Sequence, residues 1–517
     1  MEKVQKSPLL KEGSYTVEKV TELAFFDLTG GKANTQGTSN KSYHIELHKP
    51  KSGSQAQIFT MWGPTGGHQT NEWRYYPDLS SAEHEFEALI KSKKKKGYGE
   101  VDVAQRAHGS EEAKKITKAV QLKNVDGVLD LNKKKSSLHS ETQRLIGDLM
   151  GATNQFVIQT LKCPLGQLTN AQIDKGRDSL NEARKILVSA GAGQNGKMSV
   201  TLPKKDQSLV TDLTNEFYRL IPHNLGQGAR GQMTELLLDD LDKIVKKEDD
   251  LDTLLDAKSV GAMLKADSAV DDQYATLNAD FNFIDHSDPV FNFLIDYFSK
   301  SAVKGHGYSF SGPRATRIKN IWGVKRKDKE EGYFLENTSS IAKECGKHYF
   351  AKEAGDIARE AHQWEPKKRP DLSSEFCKLY NEANTWLCWH GTRSANVVGI
   401  TKRGLMIRPS GAVHTGSMYG DGKYFAWQST KSLNYTDGGY WTGGSAPSSR
   451  FMFLLDVTFG NMHKASHPQF FRGAPKGFHS VYGKAAHSGV RNDEMITYDF
   501  KQQDCQSRIR YLLEISG

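Results

Sequence analysis

Long apolar runs are missing from this 517-residue chain, and no stretch approaches the ~18 consecutive apolar residues of a membrane span. The N-terminal segment MEKVQKSPLLKEGSYTV also lacks the apolar centre of a secretory signal. Both absences predict a soluble intracellular protein without a membrane partner. Cysteine is scarce. Cys163, Cys345, Cys377, Cys388 and Cys505 are scattered, odd in number and free of any C-x-x-C pair, which argues against a disulfide framework and a zinc module alike. A reducing compartment and no metal are the matching expectations. Neither sign of charge is scarce: 70 Lys and Arg against 61 Asp and Glu leave +9. So modest an excess suits an acidic partner such as nucleic acid, or serves only solubility. The length exceeds what one core can fill, so roughly two to four domains are expected.

Three regions differ in periodicity. Residues 1–105 carry the alternating SYHIEL, with Tyr43, Ile45 and Leu47 on one face of a strand, and a second strand, IFTMWG, after a Gly/Ser break. SSAEHEFEALIKSKKKKGYGEV then reads as a helix opened by a Ser cap, with Phe86, Leu89 and Ile90 inward and lysines at its end. Lys93, Lys94, Lys95 and Lys96 complement the helix dipole there, or meet nucleic acid. Residues 106–137 are a basic linker. From 138 to 266 the period becomes 3.6, with stripes at Leu145, Leu149 and Met150, at Leu180, Ala183 and Leu187, and at Met233, Leu237, Leu241 and Ile244, as in a helical bundle. GAGQNGKM (Gly191–Met198) mimics a dinucleotide fingerprint and nearly a phosphate loop. A helical pattern precedes it, SVTLPKK follows, and Met198 stands where magnesium would need a hydroxyl, so a loop between helices is the better reading. Residues 267–517 hold short strands between Gly-rich loops. Phe451 to Val457 is apolar throughout, as a strand covered on both faces is, whereas Ile509, Tyr511, Leu513 and Ile515 alternate.

The chemistry lies in the last region. TWLCWH ends at His390 and is followed by Gly391; then come GDGKYFA (Gly420–Ala426), KSLNY (Lys431–Tyr435), FGNM (Phe459–Met462), PKGFHSV (Pro475–Val481) and NDEMITYD (Asn492–Asp499). Taken singly, His390 is a turn residue, Tyr424 and Tyr435 are core aromatics, Ser432 is a cap and Glu494 is a solvated charge. Taken together and in order, these motifs resemble the poly(ADP-ribose) polymerase family. CPLGQLT (Cys163–Thr169) and FYRLIPH (Phe217–His223) are similar to its helical regulatory domain, and the MWG strand with the Lys-rich helix is similar to its WGR module. The resemblance implies a multidomain α+β fold: a small WGR-like sheet with a helix, an all-α regulatory bundle, and a mixed α/β ADP-ribosyltransferase domain dominated by antiparallel strands.

It also implies roles. His390, Tyr424 and Glu494 match the catalytic residues, and NAD+ is the substrate. Cleaving nicotinamide from ribose builds oxocarbenium-like charge that a carboxylate stabilises, so Glu494 is expected to hold the nicotinamide ribose and to orient or deprotonate an incoming hydroxyl. His390 is expected to donate to the adenosine-side ribose. Gly391, having no Cβ, lets its backbone approach the carboxamide. Ser432 adds a hydrogen bond, Tyr424 and Tyr435 sandwich the ring, and Thr392 and Asn396 complete the NAD-binding set. Pro409–Gly420 would follow the diphosphate and adenosine. The expected activity is DNA-dependent ADP-ribosyl transfer to protein acceptors, the enzyme itself included, with elongation to polymer, in a nuclear monomer that answers DNA strand breaks through Trp62, Arg74 and Lys93–Lys96. The order of modules implies that the bundle restrains NAD access until DNA docks. Two departures stand out. Trp62 and Gly63 are followed by Pro64 where the WGR motif has Arg, and the segment between FGNM and NDEM is short, which bears on acceptor choice. Single-unit transfer and a silent NAD-binding DNA-end adaptor are the alternatives.

Overall fold

The computed structural model describes residues 15–28, 39–65, 70–101, 136–161, 165, 168–192, 199–223, 233–263, 269–302, 317–345, 369–407, 419–420, 422–439, 447–469, 471–485, 490, 492–499, 501 and 505–516. Cys163, the basic linker up to residue 135, residues 193–198 of the glycine-rich segment and nearly all of Pro409–Gly420 lie outside these residues. Contacts divide the chain into two compact units, Met1–Asp126 with Asn154–Asp267, and Gly127–Thr153 with Ser268–Gly517.

The first unit opens with strands β1 (Tyr15–Asp27), β2 (Ser39–Pro50), β3 (Ala56–Pro64) and β4 (Thr70–Tyr76), helix α1 (Leu79–Lys95) and the short β5 (Gly99–Glu100). The sheet runs β4-β3-β2-β1-β5, antiparallel throughout. Tyr43, Ile45 and Leu47 share the face that meets Ala82, Phe86 and Ile90 of α1, with Leu89 half-buried beside them, as a period of two requires. The cap of α1 is Asp78 rather than a serine, its carboxylate accepting the Ser81 amide at 2.7 Å. An anion satisfies that amide and the helix dipole together.

The opposite face of this sheet is not solvated. His44 faces Glu22 through Nδ1 at 2.5 Å and Glu46 through Nε2 at 2.6 Å, while His48 donates from Nε2 to the second oxygen of Glu46 at 2.7 Å and accepts from Gln57 at 3.0 Å. With a carboxylate at each nitrogen, His44 is an imidazolium. Burial opposes its charge, but the hydrogen bonds to Glu22 and Glu46 outweigh that and raise its pKa to about 9.

Helices follow: α2 (Ser140–Thr160), α3 (Asn170–Ser189), α4 (Lys204–Leu220), α5 (Met233–Leu236) and α6 (Leu241–Met263). The boundary between the units falls within α2. A capping box of Thr169 and Gln172 opens α3. Its stripe Leu180, Ala183 and Leu187 is fully buried, and Arg184 pairs with the buried Glu248 of α6 at 2.5 Å. The third stripe is not one helix. The chain leaves helical geometry between α5 and α6, where the Leu238 amide donates to Thr214 at 3.1 Å and Asp240 caps the Asp242 amide at 2.7 Å. Aspartate here captures a backbone donor, so the helix restarts instead of running through. Within this unit α4 packs on β1, with Phe26 stacked on Tyr218 at 5.2 Å and the Leu28 amide donating to Asn215 at 2.9 Å.

The second unit continues with α7 (Val270–Thr276), β6 (Ala279–Phe283), α8 (Pro289–Lys300), β7 (Arg317–Arg326), α9 (Glu330–Glu344), α10 (Ser374–Glu382), β8 (Thr385–Gly391), α11 (Ser394–Arg403), β9 (Lys423–Phe425), α12 (Ser429–Leu433), β10 (Arg450–Thr458), β11 (Met462–Ala465), β12 (Ser480–Gly483), β13 (Glu494–Thr497) and β14 (Ser507–Ser516). One sheet runs β6-β7-β14-β10-β8 and is antiparallel. The other runs β11-β12-β13-β9, with only β11 and β12 parallel. The protein is thus a multidomain α+β chain.

Its β10 is buried along its whole length, as a continuous apolar run predicts. The alternation in β14 misleads: the intervening polar residues are covered too. Arg508 reaches Asp456 at 3.1 Å and Tyr380 at 2.8 Å. Glu514, fully buried, accepts both guanidinium nitrogens of Arg144 from the first half of α2, together with Ser449 and Asn320. Ion pairs with full hydrogen bonding let a strand bury charge on the face that periodicity assigns to water.

Candidate active site

The two sheets of the second unit meet where β8 ends. The Trp389 amide donates to the Ala426 carbonyl at 2.7 Å, and the Ala426 amide returns a bond to Trp389 at 3.3 Å. Beyond that bridge, β9 pairs with β13, placing Tyr424 opposite Ile496 and Phe425 opposite Met495. Alternation along β13 puts Glu494 on the face of Ile496, which is also the face of Tyr424. His390, Tyr424 and Glu494 therefore stand on three adjoining strands, β8, β9 and β13.

His390 is fixed through its ring. Nδ1 lies 3.4 Å from the Tyr424 carbonyl, which can only accept, so Nδ1 carries the proton and a neutral ring presents Nε2 as an acceptor. Burial lowers its pKa to about 4, against the smaller opposing effect of the Tyr424 carbonyl. A neutral His390 thus leaves Nε2 able to accept a hydrogen bond. The hydroxyl of Tyr424 is engaged by its own loop, donating to the Gly420 carbonyl at 2.9 Å and accepting the Tyr419 amide at 3.0 Å. Gly420 has φ +87°, and a Cβ there would lie 2.0 Å from the Phe471 carbonyl.

Helix α12 approaches the same place. A Cβ on Gly391 would stand 1.7 Å from the Ser432 carbonyl oxygen, so glycine is required by packing between β8 and α12 whatever it does for a ligand. Ser432 is buried inside α12 and is not its cap, which is Gln428. Tyr435 is half-buried just beyond, its amide donating to Ser432 at 3.0 Å. Thr392 is buried and accepts from Asn396 at 3.2 Å. One turn of α11 links to the same loop, the Ser394 amide donating to Asp437 at 2.8 Å.

Glu494 opens β13 with its carboxylate buried. Lys431 of α12 sets its ammonium 2.6 Å from Oε2 of Glu494 and 2.8 Å from the Asp493 carbonyl. Burial raises the Glu494 pKa, Lys431 opposes the rise and Asp493 adds to it. Lys431 lies in the KSLNY motif, where only Ser432 and Tyr435 were expected to act. Its place next to Ser432 was the available signal. Nothing in the sequence marked Asp493.

The candidates for nucleic-acid contact lie in the first unit. Trp62 is stacked on Tyr43, 5.9 Å between ring centroids. Arg74 is held by Glu72 at 2.9 Å and Glu85 at 3.3 Å. Lys93 sits 3.6 Å over the Tyr43 ring, its pKa lowered by burial and then by Lys96, Arg74 and Lys41. Lys94 pairs with Glu100 at 2.7 Å, and Lys95 and Lys96 are exposed at the end of α1. Arg74 and Lys94 thus already have carboxylate partners. Pro64 is exposed at the end of β3.

Three models of known families match the chain. The WGR domain model matches residues 26–105, the poly(ADP-ribose) polymerase regulatory domain matches 136–283, and the poly(ADP-ribose) polymerase catalytic domain matches 336–512. Among curated relatives, poly [ADP-ribose] polymerase 1 of Gallus gallus is 24% identical over 498 residues, covering 92% of this chain and 41% of the relative. The protein of that name in Danio rerio is 24% identical over 486 residues, covering 89% and 39%. Poly [ADP-ribose] polymerase 2-B of Oryza sativa subsp. japonica is 25% identical over 503 residues, covering 93% and 68%. The chain therefore spans about two fifths of the length of the first two.

Proposed function

The chain belongs to the poly(ADP-ribose) polymerase family, and from that premise we propose that it transfers ADP-ribose from NAD+ to protein acceptors, itself included, releasing nicotinamide and extending the product to polymer. The observation that carries this reading is the buried Glu494 carboxylate, paired with Lys431 and on the strand next to Tyr424. In this reading Glu494 stands beside the ribose as positive charge develops on its anomeric carbon, and an anion in a water-poor site stabilises that charge strongly. Its raised proton affinity suits it to take the proton of the attacking hydroxyl. His390 Nε2 accepts from the second ribose. The backbone of Gly391 pairs with the carboxamide, Ser432 adds a bond to it, and the rings of Tyr424 and Tyr435 flank the pyridine, with Thr392 and Asn396 nearby.

Regulation by broken DNA, and a place in the DNA damage response of the nucleus, belong to the same proposal. The WGR-like module and the exposed Lys95 and Lys96 support it. The helical bundle is proposed to restrain NAD access until DNA binds. Labelled NAD+ offered to the purified protein with nicked or blunt DNA tests reaction and regulator together. A ladder of products supports polymer, a single discrete shift supports single-unit transfer, and absence of label from protein defeats the proposal.

A further inference from the structure

Asp493 precedes Glu494, is buried, and has no part in the chemistry described above. Three donors from separate parts of the second unit converge on its carboxylate. Trp427 Nε1 at 2.8 Å and the Tyr482 hydroxyl at 3.0 Å reach Oδ2, and the Ala485 amide reaches Oδ1 at 2.9 Å. Both oxygens accept, so the cage fits a carboxylate and not a carboxamide. An asparagine could satisfy Trp427 and Tyr482 with its oxygen only by turning its NH2 against the Ala485 amide, donor against donor. The main chain of the same residue does a second job. The Asp493 carbonyl accepts from Lys431 at 2.8 Å while that ammonium lies 2.6 Å from Glu494.

We propose that Asp493 is a positioning residue for Glu494: its caged side chain fixes the carbonyl that shares Lys431 with Glu494, and it sets a second carboxylate beside the first. The inference rests on reading Glu494 as the carboxylate at the reacting ribose. The titratable groups that act on Glu494 are Lys431 from α12 and Asp493 from its own lead-in; Tyr424 of β9 shares its face, and Tyr482 of β12 bonds Asp493. The Asp493 carboxylate adds negative charge next to Glu494, and the Lys431 ammonium is shared with the Asp493 carbonyl, so Glu494 holds a proton more firmly than it would beside Lys431 alone. A carboxylate of higher proton affinity is the stronger base toward an acceptor hydroxyl.

Asp493→Asn in the full chain is the test. The expected result is a fall of about tenfold in kcat with KM for NAD+ nearly unchanged, and an acid limb of the rate–pH profile displaced to lower pH. A residue that only supported the fold would change KM and thermal stability and leave the acid limb in place. A second measurement needs no NAD+: carboxyl-carbon NMR of Glu494, assigned with Glu494→Gln, is expected to titrate at lower pH in Asp493→Asn than in the unsubstituted protein. An unchanged titration and an unchanged acid limb overturn the proposal. An unsubstituted protein that never turns NAD+ over overturns the reading of the site instead, and the titration still reports on the coupling of the two carboxylates. Should Asp493→Asn not fold, Tyr482→Phe carries the test. It removes one donor, keeps the charge, and is expected to lower kcat about threefold at constant KM, whereas an unaltered kcat overturns the proposal.

Discussion

Gly391 meets a packing demand that the sequence did not reveal. The sequence suggested its missing Cβ as a means of backbone approach to a flat amide, a role that stays a proposal, whereas the Ser432 carbonyl lies 1.7 Å from where a Cβ would stand. No periodicity reports the distance between a strand end and a helix 40 residues later. Gly391→Ala is therefore expected to cost about 2–4 kcal/mol of stability as β8 and α12 separate, measured by denaturant unfolding, and to weaken NAD+ binding as well. His390 makes a pH prediction. Its folded pKa of about 4 lies below the unfolded value near 6.5. Its contribution to stability is whole above the unfolded value, declines as the pH falls through this window, and is gone below about 4. The loss amounts to about 3 kcal/mol. Unfolding curves of His390→Gln and of the unsubstituted protein should converge as the pH is lowered from 6.5 to 4. Parallel curves would contradict a buried neutral imidazole.

At the scale of elements, hydrophobic pattern located β2, β3, β8, β10, β14 and helices α1 to α3, and failed where charge is buried. Tyr43, Ile45 and Leu47 named the core face of β2 correctly, but the pattern was silent on His44, Glu46 and His48, which fill the other face by bonding one another. The alternation of β14 promised a wet face, and Arg508 and Glu514 occupy it dry because each has its partners. The partner of Glu514, Arg144, is 370 residues away in the chain. Separations of that kind leave no local trace. The break between α5 and α6 was missed for the opposite reason, since a leucine stripe at helical spacing outweighed Asp240, whose side chain restarts the helix. Arg144→Ala should leave the buried Glu514 with Ser449, Asn320 and the more distant Lys319 ammonium at 3.9 Å, and cost about 2–4 kcal/mol. Thermal unfolding of the variant checks this, and Arg144→Lys should recover only part, because an ammonium lacks the planar fork that aligns two parallel bonds with a carboxylate.

At the scale of the whole molecule, the order of WGR-like module, helical bundle and catalytic region was legible from motifs in the sequence, and the three family models match in that order. The compact units were less legible, because α2 reads as one amphipathic helix although its residues up to Thr153 group with the catalytic region. This bears on any deletion that tests restraint by the bundle. Removing everything up to residue 266 also removes Arg144 from Glu514, and so confounds regulation with stability. Removing Met1–Asp126 keeps that pair, though it uncovers Tyr218 and Asn215 on α4, and that shorter chain is expected to retain NAD+ turnover and lose its response to DNA. Labelled-NAD+ incorporation by the full chain and by Glu494→Gln, each with and without nicked DNA, decides whether Glu494 carries the reaction. Extended product is expected from the unsubstituted protein, stimulated by DNA, with a loss of extension of at least about 100-fold in Glu494→Gln and NAD+ binding retained. Undiminished polymer from Glu494→Gln would contradict that role.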